Sequence, residues 1–359
     1  MPQIKIATFN AEWMALLFGG QWKTWQSPTI PLSFPGGSVA GVQHEPIGDV
    51  HALCRRIAGV IKQMRAKIIG IEEGPPLKEQ MEAFVAQFLD GDYVVHHSNS
   101  RWQSITALVH KSVAAKVSAW QPQLPGLGKT WSGIPYYPWG LIGEEERKKH
   151  NLDRHPLVLS YKPKAGKELR IMVLHTKSKF SKLKTKQQWL ARDREAVLDA
   201  LNARAKLSAE VFRVRQFLDE QLSLADTPRS FVVMGDLNDG PFAELMEREF
   251  MIHNIVDELV GSFLYPDCHF RHAMDAEALR TAATTRFADP LEDGQIVEEL
   301  IDHILVSPGV WQQQGDFRVK PGSCRVETKA YDDHDDTGAE RKRELRPSDH
   351  KPVSVILEY

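Results

Sequence analysis

Cysteine is scarce. The 359-residue chain has three, Cys54, Cys268 and Cys324, far apart and without a CxxC pair. So small and odd a set builds no disulfide framework, and it fits a reducing compartment. Long apolar runs are missing as well. No stretch reaches the roughly 18 residues that a membrane-spanning helix needs, and no stable membrane association is expected. The opening residues, Met1-Pro2-Gln3-Ile4-Lys5, enter a strand-like pattern with no basic-then-apolar leader. The expected compartment is therefore the cytoplasm, although a secreted chain whose leader had been removed would leave the same trace. There is no internal repeat and no low-complexity segment. An excess of one charge is missing too: 45 Lys and Arg stand against 47 Asp and Glu, a formal net charge of −2. That excludes a protein that holds nucleic acid by bulk charge alone, but not an enzyme that visits a polyanion through a local basic patch.

What is present is ordinary core material, with 42% hydrophobic residues, enough to fold without a structural metal. Strand-like runs are expected at Ile4–Phe9, Ile68–Ile71, Tyr93–His97, Ile105–His110, Lys116–Trp120, Leu157–Tyr161, Leu169–Leu174, Phe231–Met234, Ile301–Val306 and Val353–Leu357. Helices are expected at Asp49–Arg65, Leu77–Phe88 and Thr185–Leu224, the last as one or two helices. Strands outnumber helices, which predicts packed sheets with helices on their outer faces. Irregular stretches lie between them, and none looks like a linker between separate cores. The strongest motifs sit at both ends and in the middle, so residues 1–359 read as a single domain.

Several of the strands end in polar groups. Ile4–Phe9 leads into Asn10 and Glu12; Ile68–Ile71 into Glu72-Glu73; Leu169–Leu174 into His175; Phe231–Met234 into Gly235-Asp236-Leu237-Asn238-Asp239. Asp302-His303 opens another strand, and Ser348-Asp349-His350 precedes the last. One such residue alone is ordinarily a turn or a cap. Strands packed side by side, however, bring their ends to one rim, and carboxylates with an amide oxygen suit a hard cation such as Mg²⁺. Histidines beside carboxylates suit proton transfer.

In order, these motifs resemble the endonuclease/exonuclease/phosphatase family. Thr8-Phe9-Asn10, Ile69-Gly70-Ile71-Glu72-Glu73, Leu174-His175-Thr176-Lys177-Ser178-Lys179, Gly235-Asp236-Leu237-Asn238, Ile301-Asp302-His303-Ile304-Leu305 and Ser348-Asp349-His350 match its successive motifs. Arg154-His155-Pro156-Leu157 resembles an Arg-x-Pro segment whose Arg contacts phosphate. The resemblance runs from residue 4 to 358. There are departures. Glu-Glu replaces the family's Gln-Glu, and Gln103-Ser104-Ile105-Thr106 stands where deoxyribonucleases place a Glu that supports the first catalytic His.

The resemblance implies an α/β four-layer sandwich, two mixed β-sheets face to face with helices outside, and a site at one end. It implies divalent-metal-dependent hydrolysis of phosphate esters, with phosphodiesters of nucleic acid as the first substrate and DNA ahead of RNA. The alternatives are a phosphatase or a sphingomyelinase-like phosphodiesterase of the same fold, and then a non-catalytic scaffold. The cation would be Mg²⁺, with Mn²⁺ or Ca²⁺ as substitutes, held by Asn10, Glu73 and Asp349. His175, Asp236, Asn238, Asp302 and His350 would be catalytic, with Asp302 orienting His350. Arg154, Lys177 and Lys179 would hold substrate phosphate. Glu12 and Glu72 read equally well as solvated, and Trp13 as a stacking or a packing residue. The acidic run Asp332-Asp333-His334-Asp335-Asp336 reads as a solvated loop, with a second cation as its alternative. Trp131–Ile142 is the one candidate for an apolar membrane-contacting loop.

Overall fold

The computed structural model describes every residue except 21–26, 101, 122–129, 137–147, 180, 225–229, 242–253, 290, 292–293 and 339–340. Two large mixed sheets dominate it. The first runs, in hydrogen-bonded order, Arg318–Val319, Val353–Glu358, Gln3–Asn10, Ile68–Gly74, Ser104–His110 and Tyr93–His97, with Arg325–Val326 also on the Val353–Glu358 strand. The second runs Arg271–His272, Asp302–Val306, Phe231–Asp236, Lys167–His175, Leu157–Lys164 and Val117–Trp120. Each has one parallel pair at its centre, Gln3–Asn10 with Ile68–Gly74 and Lys167–His175 with Phe231–Asp236.

Side chains alternate between the two faces of a strand, and here the alternation separates three cores. Ile4, Ile6 and Ile68 of the first sheet meet Ile171, Val173, Val232, Met234 and Ile304 of the second in the space between the sheets. The intervening Ala7, Phe9, Ile69 and Ile71 face outward onto the helix Val50–Met64, through its Leu53, Ile57 and Ile61, and onto Lys78–Phe88. Met172, Leu174, Phe231 and Val233 face the other way, onto Val211, Val214, Phe217 and Leu218 of the helix Arg194–Ser223. The result is the expected helix–sheet–sheet–helix layering. The helical stretch expected at Thr185–Leu224 is two helices, Lys186–Leu190 and Arg194–Ser223. Arg192 at φ 53° breaks the stretch, and Asp193 caps the second helix on the Ala196 amide.

Gly70 shows how closely the sheets approach. It sits on the inner face, and a Cβ there would lie 2.7 Å from a methyl group of Val173.

Some irregular stretches carry structure that composition hid. Gly37–Val39 pairs with Val42–His44, Ile134–Tyr136 with Lys148–His150, and Thr285–Asp289 with Gln295–Glu299. The described half of the candidate apolar loop is core: Trp131, Ile134 and Tyr136 are buried against the long helix, because its Phe217 and Val214 need aromatic and aliphatic partners. Trp139 and Leu141 lie outside the described residues. No helix among the described residues is long and apolar enough to cross a membrane.

Candidate active site

The inner-face alternation that builds the core also builds the site. Continued to the strand ends, it places Thr8 and Asn10, Glu72, His175, Asp236 and Asp302 between the sheets at one rim. The register fixes the neighbours: Asn10 lies opposite Glu72, His175 opposite Asp236, and Asp236 opposite Asp302. All six are buried.

Three nitrogen atoms surround one oxygen of Asp236. Asn10 Nδ2 donates to Asp236 Oδ2 at 2.9 Å; His175 Nε2 lies 3.4 Å from that oxygen and His350 Nε2 4.0 Å from it. His350 Nδ1 donates to Asp302 Oδ2 at 2.8 Å, the contact anticipated between those two motifs. Asp349 Oδ1 stands 3.9 Å from His350 Nε2. Glu73 is reached by the Trp13 amide at 2.8 Å and lies 4.0 Å from His175 Nε2. Some backbone strain lies here: Glu12, Trp13, Glu73 and Asn238 all hold φ between 45° and 56°, a conformation that costs about 1–3 kcal/mol per residue.

The last motif is stapled to the first. Ser348 Oγ donates to the Asn10 carbonyl at 2.6 Å and accepts the His350 amide at 3.0 Å. Gly235 is required next to Asp236: at φ 143°, a Cβ would fall 1.8 Å from the Leu174 carbonyl oxygen.

Burial and charge split the ionisations. Burial raises the Glu73 carboxyl and Asp349 adds to it; Arg154 and His350 do not overcome this, and the group is pushed up to about 7. Burial raises Asp236 to about 6 and Glu72 to about 8. Burial drives His175 well below the ordinary histidine value, helped by Arg154 and His350. Burial alone would lower His350 too, but Asp302, Asp236 and Asp349 overcome it and hold that imidazole protonated well above the usual range. Two histidines therefore face one carboxylate in opposite protonation states, the arrangement that separates an acid role from a base role.

A hard cation fits the Glu73–Asp349 side of the rim. The Asp349 carboxylate adds to the raised proton affinity of Glu73, and the chain's own cations leave that uncompensated at Glu73. Asn10 contributes less freely, since its carbonyl already accepts the Glu12 amide at 3.0 Å, which leaves one lone pair. Asp236, Asp302 and His350 also lie close enough, within 4.8 Å, to read as a ligand set. The 2.8 Å bond between Asp302 and His350 accounts for that proximity without an ion.

The remaining residues are placed less as expected. Arg154 donates to Gln103 Oε1 at 2.6 Å and to the Thr176 carbonyl at 2.7 Å. Gln103 thus serves Arg154, and His175 Nδ1 is buried with no hydrogen-bond partner among the described residues, as the missing Glu implied. Asn238 donates its backbone N–H to Asp236 Oδ1 at 2.7 Å and its side-chain amide to the Thr176 carbonyl at 3.0 Å. Lys177 Nζ reaches the Ser178 carbonyl. Lys179 is not brought to the rim; its ammonium lies 2.9 Å from the buried Asp239, which Arg204 shares at 3.2 Å. Neither Glu12 nor Glu72 is solvated. Glu12 pairs with Arg346 at 2.7 Å, and Glu72 accepts the Thr8 hydroxyl at 2.6 Å. Trp13 packs edge-on against His44, with ring centroids 4.7 Å apart. In the acidic run, Asp332 pairs with Lys351, Asp333 with Lys329 and Asp336 with Arg56. Arg343, which donates to the Ala11 carbonyl at 3.1 Å and the Glu12 carbonyl at 2.8 Å, and Arg346 carried no signal in the sequence; Ser348 was named in the Ser-Asp-His motif, though its bond to Asn10 was not legible there.

A cavity of about 1080 Å³ lies between the long helix and residues 257–268 and shares no lining residue with this rim. No family model matches the chain, and no curated protein does. Solved structures do. An endonuclease/exonuclease/phosphatase from Bacteroides vulgatus is 15% identical, over 100% of this chain and 99% of that one, at a TM-score of 0.48. Truncated Caenorhabditis elegans TDP2 is 14% identical, over 99% and 98%, at 0.48. The human Nocturnin catalytic domain, with a bound sulfate anion, is 12% identical, over 100% and 95%, at 0.49. The likeness is one of architecture. What the rim can do rests on its own residues.

Proposed function

We propose that the chain is a divalent-cation-dependent phosphoesterase that cleaves phosphodiester bonds of nucleic acid, DNA before RNA. The observation that carries this reading is the buried Asp302–His350 pair, bonded at 2.8 Å and facing Asp236 together with His175 and Asn10. A phosphodiester repels nucleophiles by its own charge, so its cleavage needs charge compensation, an oriented water and a proton for the leaving oxygen. Asp302 fixes the His350 tautomer and leaves Nε2 toward the rim, where it exchanges a proton or donates to a phosphate oxygen. Asp236, held by Asn10 and the Asn238 amide, orients the water. His175 faces the leaving group or the charge building on the phosphate. Glu73 and Asp349, with Asn10 beside them, would hold the cation, Mg²⁺ first, which when bound polarises a phosphoryl oxygen. Arg154 and Lys177 would meet the substrate phosphates, while Lys179 is held on the buried Asp239 instead.

The test is a substrate panel with Mg²⁺, Mn²⁺, Ca²⁺ or EDTA: duplex and single-stranded DNA, RNA, an abasic duplex, sphingomyelin and inositol phosphates. Cation-dependent cleavage of DNA is expected. Hydrolysis of sphingomyelin or inositol phosphates without any nucleic acid would overturn the substrate class. Full turnover in EDTA would overturn the cation requirement.

A further inference from the structure

The rim does not end at Asp349. Beyond it a recess of about 210 Å³ opens between the start of the Thr285–Asp289 strand and the loop that follows Tyr331, and Asp349 forms part of its wall. Recess and catalytic pair are tied together. The Lys351 amide donates to the Thr284 carbonyl at 2.7 Å, Thr285 Oγ1 donates to the Asp349 carbonyl at 3.2 Å, and Thr285 bridges His350.

Size and lining narrow what fits. Sites for whole small molecules span about 300–1,000 Å³, so this recess takes one part of a larger substrate. Arg286, Arg341 and Lys351 face Glu298, Asp332, Asp335 and Asp349 across it. A bare anion would meet four carboxylates and a bare cation three bases. One pair is already matched, Lys351 at 3.0 Å from Asp332; Asp335 accepts the Thr337 hydroxyl at 2.6 Å, and Arg286 and Glu298 sit at partnered positions of the hairpin. Arg341, half-buried at φ 48°, makes no ion pair among the described residues. The lining thus offers donors and acceptors side by side, which suits a neutral group that carries both on one edge.

We propose that this recess is a nucleoside subsite, taking the base of the nucleotide that bears the scissile phosphate, with Arg341 and Arg286 as donors and Glu298 as acceptor. The proposal rests on the phosphodiesterase reading and names its substrate contact outside the rim.

The experiment is calorimetric binding of the four deoxynucleoside 3′- and 5′-monophosphates against inorganic phosphate, with Mg²⁺, to the full chain and to Arg341→Ala and Arg286→Ala. At least one mononucleotide should bind about tenfold or more tighter than phosphate, and each variant should remove about tenfold of that margin, the worth of one charged hydrogen bond. Melting curves verify the fold. Arg286 is exposed, so its variant keeps the test alive if Arg341→Ala does not fold. Mononucleotides that bind no tighter than phosphate, or a margin unchanged in both variants, would overturn the subsite. Hydrolysis of bis(p-nitrophenyl) phosphate separates the two claims. An inert ester with an intact margin removes the phosphodiesterase reading and leaves a nucleotide site; a cleaved ester with no margin does the reverse.

Discussion

His350 draws its character from its neighbours. Three carboxylates, Asp302, Asp236 and Asp349, hold it charged against the pull of burial, and one of them also fixes its ring through a 2.8 Å bond. If the two residues act as a unit, their losses do not add. His350→Ala is expected to lower kcat about 10²–10⁴-fold, and Asp302→Asn in that background to cost little further; a double-mutant cycle in kcat measures this, and additive losses would separate the pair. Gly235 makes a second prediction at this scale. A methyl group 1.8 Å from the Leu174 carbonyl oxygen, on a backbone at φ 143°, cannot be relieved by a rotamer. Gly235→Ala should destabilise the fold by at least about 2–3 kcal/mol, read as a lower denaturation midpoint. The glycine was visible in the Gly-Asp-Leu-Asn motif, but the reason for it was not, because the obstructing carbonyl belongs to the neighbouring strand.

Strands were the most legible elements. Tyr93–His97 is bounded as expected, and Gln3–Asn10 and Phe231–Asp236 each extend the expected run by two residues, because one or both faces are buried and the apolar pattern records it. The hairpin of Thr285–Asp289 and Gln295–Glu299 left no such record, since most of its residues are exposed or partly so. The described part of Trp131–Ile142 was ambiguous for the opposite reason: aromatic residues announce burial without naming the partner that covers them. The loop that follows Phe231–Asp236 hides a further dependence. Asp239 is buried, with Lys179 on one oxygen and Arg204 and the Ile255 amide on the other, while its carbonyl accepts His303 Nε2 at 2.9 Å. Burial would raise this carboxyl, but Lys179 and Arg204 overcome it and hold it below the usual range. A depressed folded pKa contributes stability that is present above the unfolded value of about 3.9 and lost as pH falls through the folded one. Asp239→Asn should therefore cost about 3–5 kcal/mol at neutral pH, the loss for breaking a buried pair, and the gap to the parent should close below about pH 4. Urea titrations at neutral and acid pH measure both; a gap independent of pH would mean that Asp239 acts through shape rather than charge.

For the whole molecule, Asn10, His175, Asp236 and Asp302 could be read as one set because one alternation runs through the inter-sheet core and into the rim; Thr8 and Glu72 lie on the same face and were not singled out as site residues. The cost is a dense set of buried titratable groups behind the site. His272 and His303 illustrate it. They sit with ring centroids 5.4 Å apart, on the strands Arg271–His272 and Asp302–Val306. Burial lowers both; the neighbouring His303 charge lowers His272 further, to about 3, while the Asp239 carbonyl only partly offsets the fall at His303. The unfolded chain takes up these protons near the ordinary histidine value of about 6.5, and the folded chain does not. The sign follows: the contribution is full above about pH 6.5 and is lost as pH falls toward 3. At 1.36 kcal/mol per unit, His272 alone would remove at most about 2 kcal/mol between pH 6.5 and 5, while the raised carboxyls of Glu72, Glu73 and Asp236 act in the opposite sense in the same window. His272→Gln should flatten that slope while lowering stability at neutral pH by less than the slope it removes. Chemical denaturation at half-unit steps between pH 5 and 7 is the measurement. A difference between parent and variant that is level across this window would mean that these rings gain protons without unfolding, through an opening at the edge of the second sheet.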